Sequence, residues 1–356
     1  MPPLPGPLPL PGAREKFADL GRGVALPPSP FPLPFHWRDD LLSALTVVFS
    51  LICAIGLMFP WAAQAMEFDY RLAPRQVAPD TWAFIGATED FSPANGGNIV
   101  NTGFIVTKAG VLVIDTGPSL RYGEQMRQAI HRITEQPVVQ VVNTHHHPDH
   151  FLGNQAFAGL PILALPETAQ GQESQGGAFA DNMYRMNGEW MRGTEPLPAT
   201  QTDVPARLLL GGHDIEFLRL AGHTAGDLAV FDRTTGVLFS GDLVFHDRTP
   251  TTPHADIKRW LQGLAQLEAL PFKVLVPGHG TPTTDAAPIA QTRDWLQWLN
   301  SALRQGAASG IDMAEMLRQP LPARFAAMPL SGREYQRSVS HLFPRMEQDM
   351  LEGRKP

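Results

Sequence analysis

Cysteine is almost missing from this chain: its 356 residues include one, Cys53. A single thiol excludes an intramolecular disulfide and any thiolate-rich metal cluster, so a metal site here must be built from nitrogen and oxygen ligands. Positive charge is also scarce, because 28 Lys and Arg face 35 Asp and Glu for a net charge of -7, and no basic run interrupts the sequence. That balance argues against nucleic acid as a partner and leaves a small-molecule substrate as the expected one. Charged residues make up only 18% of the chain while 43% belong to the hydrophobic set, which rules out wholesale disorder and suffices for a substantial core. No internal repeat occurs at solenoid or propeller spacing.

Proline is plentiful at 34 residues, yet 11 of these lie between Pro2 and Pro34. Residues 1–40 therefore read as a Pro-rich disordered lead, or as sequence upstream of the true start. Residues 41–65 read as a signal peptide or membrane anchor. Leu41–Phe59 carries no charge, Pro60 follows it, and Ala63-Gln64-Ala65 has the form of a secretory cleavage site, which predicts a mature chain beginning at Met66. Retention of the leader would make it the chain's contact with the membrane. Either way the body is exported, and a periplasmic location is expected. Residues 66–300 are expected to form the catalytic domain, and 301–356 a helical extension packed on it.

Short β-rich runs alternate with helical ones from Thr81 onward. Residues 82–85 are strand-like, and 103–107 and 111–115 flank a turn at Lys108-Ala109-Gly110 as a hairpin. A helix is predicted over 120–134. A strand over 138–143 runs straight into Thr144-His145-His146-His147-Pro148-Asp149-His150. Further strands over 215–220, 237–240 and 274–276 end at Ala221-Gly222-His223, Gly241-Asp242 and Pro277-Gly278-His279-Gly280, with a helix over 256–270 between the last two. Four strand ends thus deliver His or Asp into loops, which is where layered α/β folds place their sites.

Alternate residues of a chain leaving a strand point the same way, so His145 and His147 can converge on one ion while His146 points elsewhere. Beyond the Pro148 bend, Asp149 and His150 remain for a second ion. His223 can complete the first set, His279 the second, and the two oxygens of Asp242 can bridge both. Three protein ligands per ion plus a bridge leave a position open for water, as in a catalytic rather than a structural site. Such nitrogen and oxygen ligands suit two Zn2+, although iron and manganese also accept the set. A metal can lower the pKa of bound water from about 15.7 to about 7. A hydroxide so formed, oriented by Asp149, attacks without a serine or cysteine nucleophile.

This constellation resembles the metallo-β-lactamase-fold hydrolases over approximately Thr81 to Asn300. The resemblance implies an α/β fold, specifically an αβ/βα sandwich of two mixed sheets flanked by helices, with a binuclear site at the sheet edge. It also implies that Asp115, ending the Val111–Asp115 run, supports the metal loops from behind. Ser240-Gly241-Asp242 is similar to the glyoxalase-II type of thioesterase and its lactonase and phosphodiesterase relatives. The leader, the lead-in Asn95–Val106 and the Met-rich insert around Phe179–Met191 look most like the quinoprotein relay system zinc metallohydrolases. That likeness implies a periplasmic quinoprotein system as the setting, and an ester, thioester or lactone as the bond cleaved. The alternatives are a mono-iron persulfide-dioxygenase-like oxidoreductase, a β-lactamase-like amide hydrolase, and a metal-dependent binding protein without turnover.

Other polar and apolar residues have simpler expected tasks. His146 reads as a hydrogen-bonded, partly buried imidazole and His131 as a solvated helix-face residue. His246, Asp247 and His254 either line the pocket or face solvent. Met183, Met186, Met191, Tyr184 and Trp190 divide between helix-core packing and an adaptable lid. Gly96-Gly97 reads as a turn or a mobile flap, since no phosphate-loop residues follow it.

Overall fold

The computed structural model describes residues 68–352. The expectations for the Pro-rich lead, the leader, its cleavage site and Cys53 lie outside the described residues. In chain order the strands are β1 Arg75–Ala78, β2 Thr81–Phe84, β3 Thr102–Thr107, β4 Gly110–Ile114, β5 Val138–Val142, β6 Ile162–Leu163, β7 Arg207–Leu210, β8 His213–Leu220, β9 Asp227–Asp232, β10 Val237–Phe239 and β11 Val274–Val276. The helices are α1 Leu120–His131, α2 Pro148–Phe151, α3 Pro166–Asn187, α4 Ile257–Glu268, α5 Ala287–Ala308, α6 Met313–Met316, α7 Ala323–Ala326 and α8 Ser331–Leu351.

Strands β1 to β6 form one sheet in sequence order, and the second sheet runs β11-β10-β9-β8-β7. Both are mixed: β4, β5 and β6 pair parallel, as do β10 and β11, while the remaining neighbours are antiparallel. Period-two side-chain alternation explains the layering. In β4, Leu112 and Ile114 join the cluster that includes Ile215, Leu228, Val230 and Phe239 of the opposite sheet, whereas Val111 and Val113 join Tyr122, Met126 and Ile130 of α1. In β9, Leu228 and Val230 belong to the cluster between the sheets and Ala229 and Phe231 to the outer one with Trp260 and Trp295. The result is helix, sheet, sheet, helix, the expected sandwich.

Local chemistry starts the flanking helices where the pattern placed them. The Ser119 side chain accepts from Tyr122 N and the Asp256 side chain from Arg259 N, each satisfying a free amide of a first turn. Trp260 of α4 is fully buried, and its Nε1 donates to Leu243 O at 2.8 Å. Helix α5 runs unbroken across residue 300, so the expected boundary there falls inside one helix. The chain beyond it shares the outer core: Tyr335, Val339 and Phe343 pack in the same cluster as Trp260, Trp295 and Leu299. Among the described residues no helix is long and apolar enough to cross a membrane.

Candidate metal centre

Strand ends deliver the site. β5 leads into His145 and His147, with Asp149 and His150 on the short helix α2; β8 leads to His223, β10 to Asp242 and β11 to His279. Nε2 of His145 lies 3.1 Å from Nδ1 of His147, which lies 2.8 Å from Nε2 of His223. Oδ2 of Asp242 stands 3.4 Å from Nε2 of His223 and 3.9 Å from Nε2 of His145. The same carboxylate reaches the other group, with Oδ1 at 3.0 Å from Nε2 of His150 and Oδ2 at 3.2 Å from Nε2 of His279. Oδ2 of Asp149 is 3.4 Å from Nε2 of His279 and 3.8 Å from Nε2 of His150. All seven residues named from the sequence thus meet in two clusters, His145/His147/His223/Asp242 and Asp149/His150/His279, either of which could hold a metal ion.

Charge states in these clusters suit cation binding. Burial holds the pKa of His145 and His147 well below the ordinary value and brings His223 down to about 3, so their lone pairs are free. Burial also works against a charged His150, but Asp242, Asp115 and Asp149 outweigh it and raise its pKa well above the usual range. Burial opposes ionisation of Asp242, yet His279 and His150 hold its pKa well below the ordinary carboxylate range. Nε2 of His150 and Oδ1 of Asp242 are buried with no good hydrogen-bond partner among the described residues. Such atoms fit a cation better than a solvent-free core. Uptake of divalent cations near pH 7 is therefore expected to release about one proton per chain from the ligands, that of His150, because the first trio is already neutral, with up to about one more from water ionised by the cations. Calorimetry in buffers of different ionisation enthalpy checks this; release of three protons contradicts it.

The scaffold behind the ligands fixes which ring nitrogen faces inward. Oδ1 of Asp115 accepts from Thr144 N at 2.8 Å, and Oδ2 accepts from Thr144 Oγ1 and His150 Nδ1, both at 2.8 Å. The Thr144 hydroxyl, spending its proton on Asp115, accepts from His145 Nδ1 at 3.0 Å. One carboxylate therefore sets the tautomer in both clusters. His279 Nδ1 lies 2.6 Å from the Ile99 carbonyl, which accepts its proton and turns Nε2 toward the acids. The Asn101 side chain donates to Pro277 O and Gly280 O, tying down the His279 loop. Gly280, at φ 93°, has no room for a Cβ against the His246 carbonyl, and a Cβ on Gly278 would meet the Asp242 carboxylate. Buried Asp227 accepts from the amides of His223 and Thr224 and from Thr224 Oγ1; burial pushes its pKa up to about 7 despite those bonds.

A cavity of about 350 Å3 opens beside the clusters. Phe91, Ile99, Phe179 and Met186 give it an apolar side, and Arg248, His254, Arg337 and His341 a basic one. Arg248 is buried with Nε unpartnered, while Arg337 bonds to Glu334 Oε1 at 2.9 Å. His254 lines this cavity; His246 instead bonds to Thr281 O, and Asp247 is exposed. His131 is exposed as expected. The hydrogen-bonded imidazole expected at His146 is not found: the ring is buried, pressed into the space left by Gly171, and its Nε2 has no partner among the described residues. Met183 and Met191 are core residues, Met186 and Phe179 line the cavity, Tyr184 is exposed, and Trp190 packs on Tyr70. Gly96-Gly97 is a turn held by the Asn95 side chain and by the Tyr70 hydroxyl, which donates to Gly96 O.

Thr144, Asn101, Asp227, Arg248, Glu334 and Arg337 were not identified from the sequence. Asp227 and Asn101 lie inside segments the motifs already marked, Gly222–Asp227 and Asn95–Val106. Thr144 opens the quoted run Thr144–His150, and nothing in the one-dimensional pattern signals Arg248, Glu334 or Arg337.

The sequence profile of the metallo-beta-lactamase superfamily matches residues 95–279, a little over half of the chain. This chain belongs to the metallo-beta-lactamase superfamily. It is 21% identical over 287 residues to a linear primary-alkylsulfatase of Pseudomonas sp. (strain ATCC 19151), a match that covers 68% of this chain and 54% of that protein. The chain thus spans about half the length of that relative. A metallo-beta-lactamase from Pontibacter korlensis superposes with TM-score 0.51 at 25% identity, over 64% of this chain and 99% of the other. A double mutant of the sec-alkyl sulfatase PisA1 superposes with TM-score 0.58 at 20% identity, over 76% of this chain and 50% of the other, and shows the likeness of fold. Family and clusters together agree on a site able to hold metal ions. These relatives do not bear on the narrower likeness to the quinoprotein relay hydrolases.

Proposed function

We propose that this chain is a hydrolase holding two divalent cations, with zinc the preferred metal, and that it cleaves an ester-class bond. His145, His147 and His223 would hold one cation, Asp149, His150 and His279 the other, and Asp242 would serve both. The observation that carries this reading is the convergence of those side chains on one carboxylate at the mouth of a cavity. When bound, the cations supply Lewis acidity and a nucleophile available at neutral pH. Asp149 orients the attacking water, Asp115 holds the ring tautomers, and Phe91, Phe179 and Met186 keep bulk water from the reacting end. Metal analysis of protein purified without chelator separates this from the one-iron oxidative reading, two cations per chain against one iron.

The cavity favours a substrate with an apolar arm and an acidic group. Its basic side carries Arg248 and Arg337, with Arg333 nearby, against Glu334 and Asp90, while Asp149 and Asp242 also line the cavity, so the pull on an acidic group would come from the bound cations together with these arginines. A carboxylic ester, thioester or lactone fits this description, and so does an alkyl sulfate, the class named for the Pseudomonas relative. Export to the periplasm and a place in a quinoprotein-associated pathway are part of the proposal and rest on residues 41–65 and 95–106 of the sequence alone. The test is a panel of nitrophenyl ester, thioester, lactone and alkyl sulfate at matched chain length. Cation-dependent turnover of at least one is expected, with Arg337→Gln raising KM about 10-fold for anionic members and little for neutral ones. No turnover across the panel by the cation-loaded protein contradicts the reading.

A further inference from the structure

His147 has a second nitrogen that the two-cation reading leaves unused. Its Nδ1 faces His145 and His223, and a neutral imidazole has only one lone pair to give, so Nε2 must carry the ring proton and needs an acceptor. The acceptor is Nδ1 of His254, 2.8 Å away. We infer that His254 is a positioning residue: it holds His147 in the tautomer that turns Nδ1 toward the first cation, and it does so from the substrate side of the site.

The loop bearing His254 is braced for such a task. Thr249 N and Oγ1 donate to Pro329 O, Arg337 donates to Thr251 Oγ1 at 3.2 Å, and Thr252 Oγ1 bonds to Ser338 Oγ at 2.7 Å. At its far end Asp256 N donates to Gly222 O, beside His223. Segments on the C-terminal side of the superfamily match, Pro329 and α8, therefore fix a group that touches the metal cluster from within the cavity. The tautomer also leaves Nε2–H of His254 as a donor at the cavity wall, facing substrate rather than metal.

A competing arrangement uses the same residues, since His146, His147 and His254 also form a group able to hold a cation. That would require His147 to lose its ring proton and serve two ions at once, a cost the hydrogen bond avoids.

The inference rests on the two-cation reading, and one experiment separates them. Wild type, His254→Ala and His254→Asn are stripped of metal and titrated with Co2+ alone, following visible absorption and competition with a chromophoric chelator. Wild type is expected to bind two ions. His254→Ala should bind two with the weaker affinity about 10- to 100-fold lower and altered cobalt bands. His254→Asn, whose amide oxygen can accept where Nδ1 did, should recover most of both. Wild-type affinity and spectrum in His254→Ala, an Asn variant as weak as the Ala variant, or a third wild-type ion lost in His254→Ala would each overturn this role and leave the two-cation reading intact. A wild-type chain that takes up no Co2+ overturns both.

Discussion

Asp115→Ala is expected to weaken cation binding by about 10- to 100-fold and to destabilise the fold by about 3–5 kcal/mol. The buried Asp115 carboxylate accepts the Thr144 amide, the Thr144 hydroxyl and the His150 ring proton, and through Thr144 it governs His145 as well. Alanine leaves these donors unpaired in the core. Asp115→Asn separates the two effects. Its backbone sits at φ 55°, which asparagine tolerates, so the fold should lose only about 1–3 kcal/mol. An amide keeps one acceptor oxygen, which at the Oδ2 position can still accept from both Thr144 Oγ1 and His150 Nδ1, but its NH2 then faces the Thr144 N–H, donor against donor, and the negative charge is lost. Cation affinity should therefore fall by less than in the alanine variant, because the bonds that set the His145 and His150 tautomers survive. Chelator competition and denaturant melts measure the two quantities; unchanged affinity in both variants would show that the tautomers are set elsewhere.

Asp242→Ala is expected to lower kcat/KM by on the order of a hundred- to a thousandfold, the scale seen when one preorganised electrostatic group is removed from an active site. Among the described residues the Asp242 carboxylate alone reaches across the site, from His145 and His223 on one side to His150 and His279 on the other. Its removal also strips His150 of the first of the acids that sustain its raised pKa, so the variant should bind fewer protons there before metal uptake. The measurement is turnover of the best substrate in the ester panel at saturating cation, with metal content determined on the same sample. Activity within tenfold of wild type would remove Asp242 from its bridging place.

Much of this site was legible because its residues carry strong local constraints. Three histidines and an aspartate at fixed offsets from a strand end, with glycines beside His223, Asp242 and His279, leave few geometries open. The strands were legible for a related reason: β4, β5 and β9 alternate between two apolar environments, and the hairpin turns are punctuated by glycine. The extent of the fold beyond residue 300 was not, because an amphipathic helix reads alike whether it closes one domain or begins an extension. α5 crosses that point, and Tyr335 and Phe343 share one core cluster with Trp295.

The hydrogen-bonded scaffold was harder to see for a physical reason. Thr144 matters through a hydroxyl that relays one carboxylate to His145, and no periodicity marks a relay. Arg248, Glu334 and Arg337 come together only because α8 folds back over the loop after β10, more than eighty residues earlier in the chain. His146 shows the converse: its neighbours in the motif are ligand candidates, yet its ring packs against Gly171 and belongs to neither of the two clusters that gather the seven residues. Hydrogen bonding was expected there because buried imidazoles usually have it, and packing supplied the position instead.

The most direct test is elemental analysis of the chain purified without chelator and then equilibrated with zinc, iron or manganese in turn. About two divalent cations per chain, falling to about one or fewer in a His150→Ala/His279→Ala double variant, is the predicted result. A wild-type chain that retains no cation under any of these conditions would contradict the convergence of five histidines and two aspartates as a metal centre.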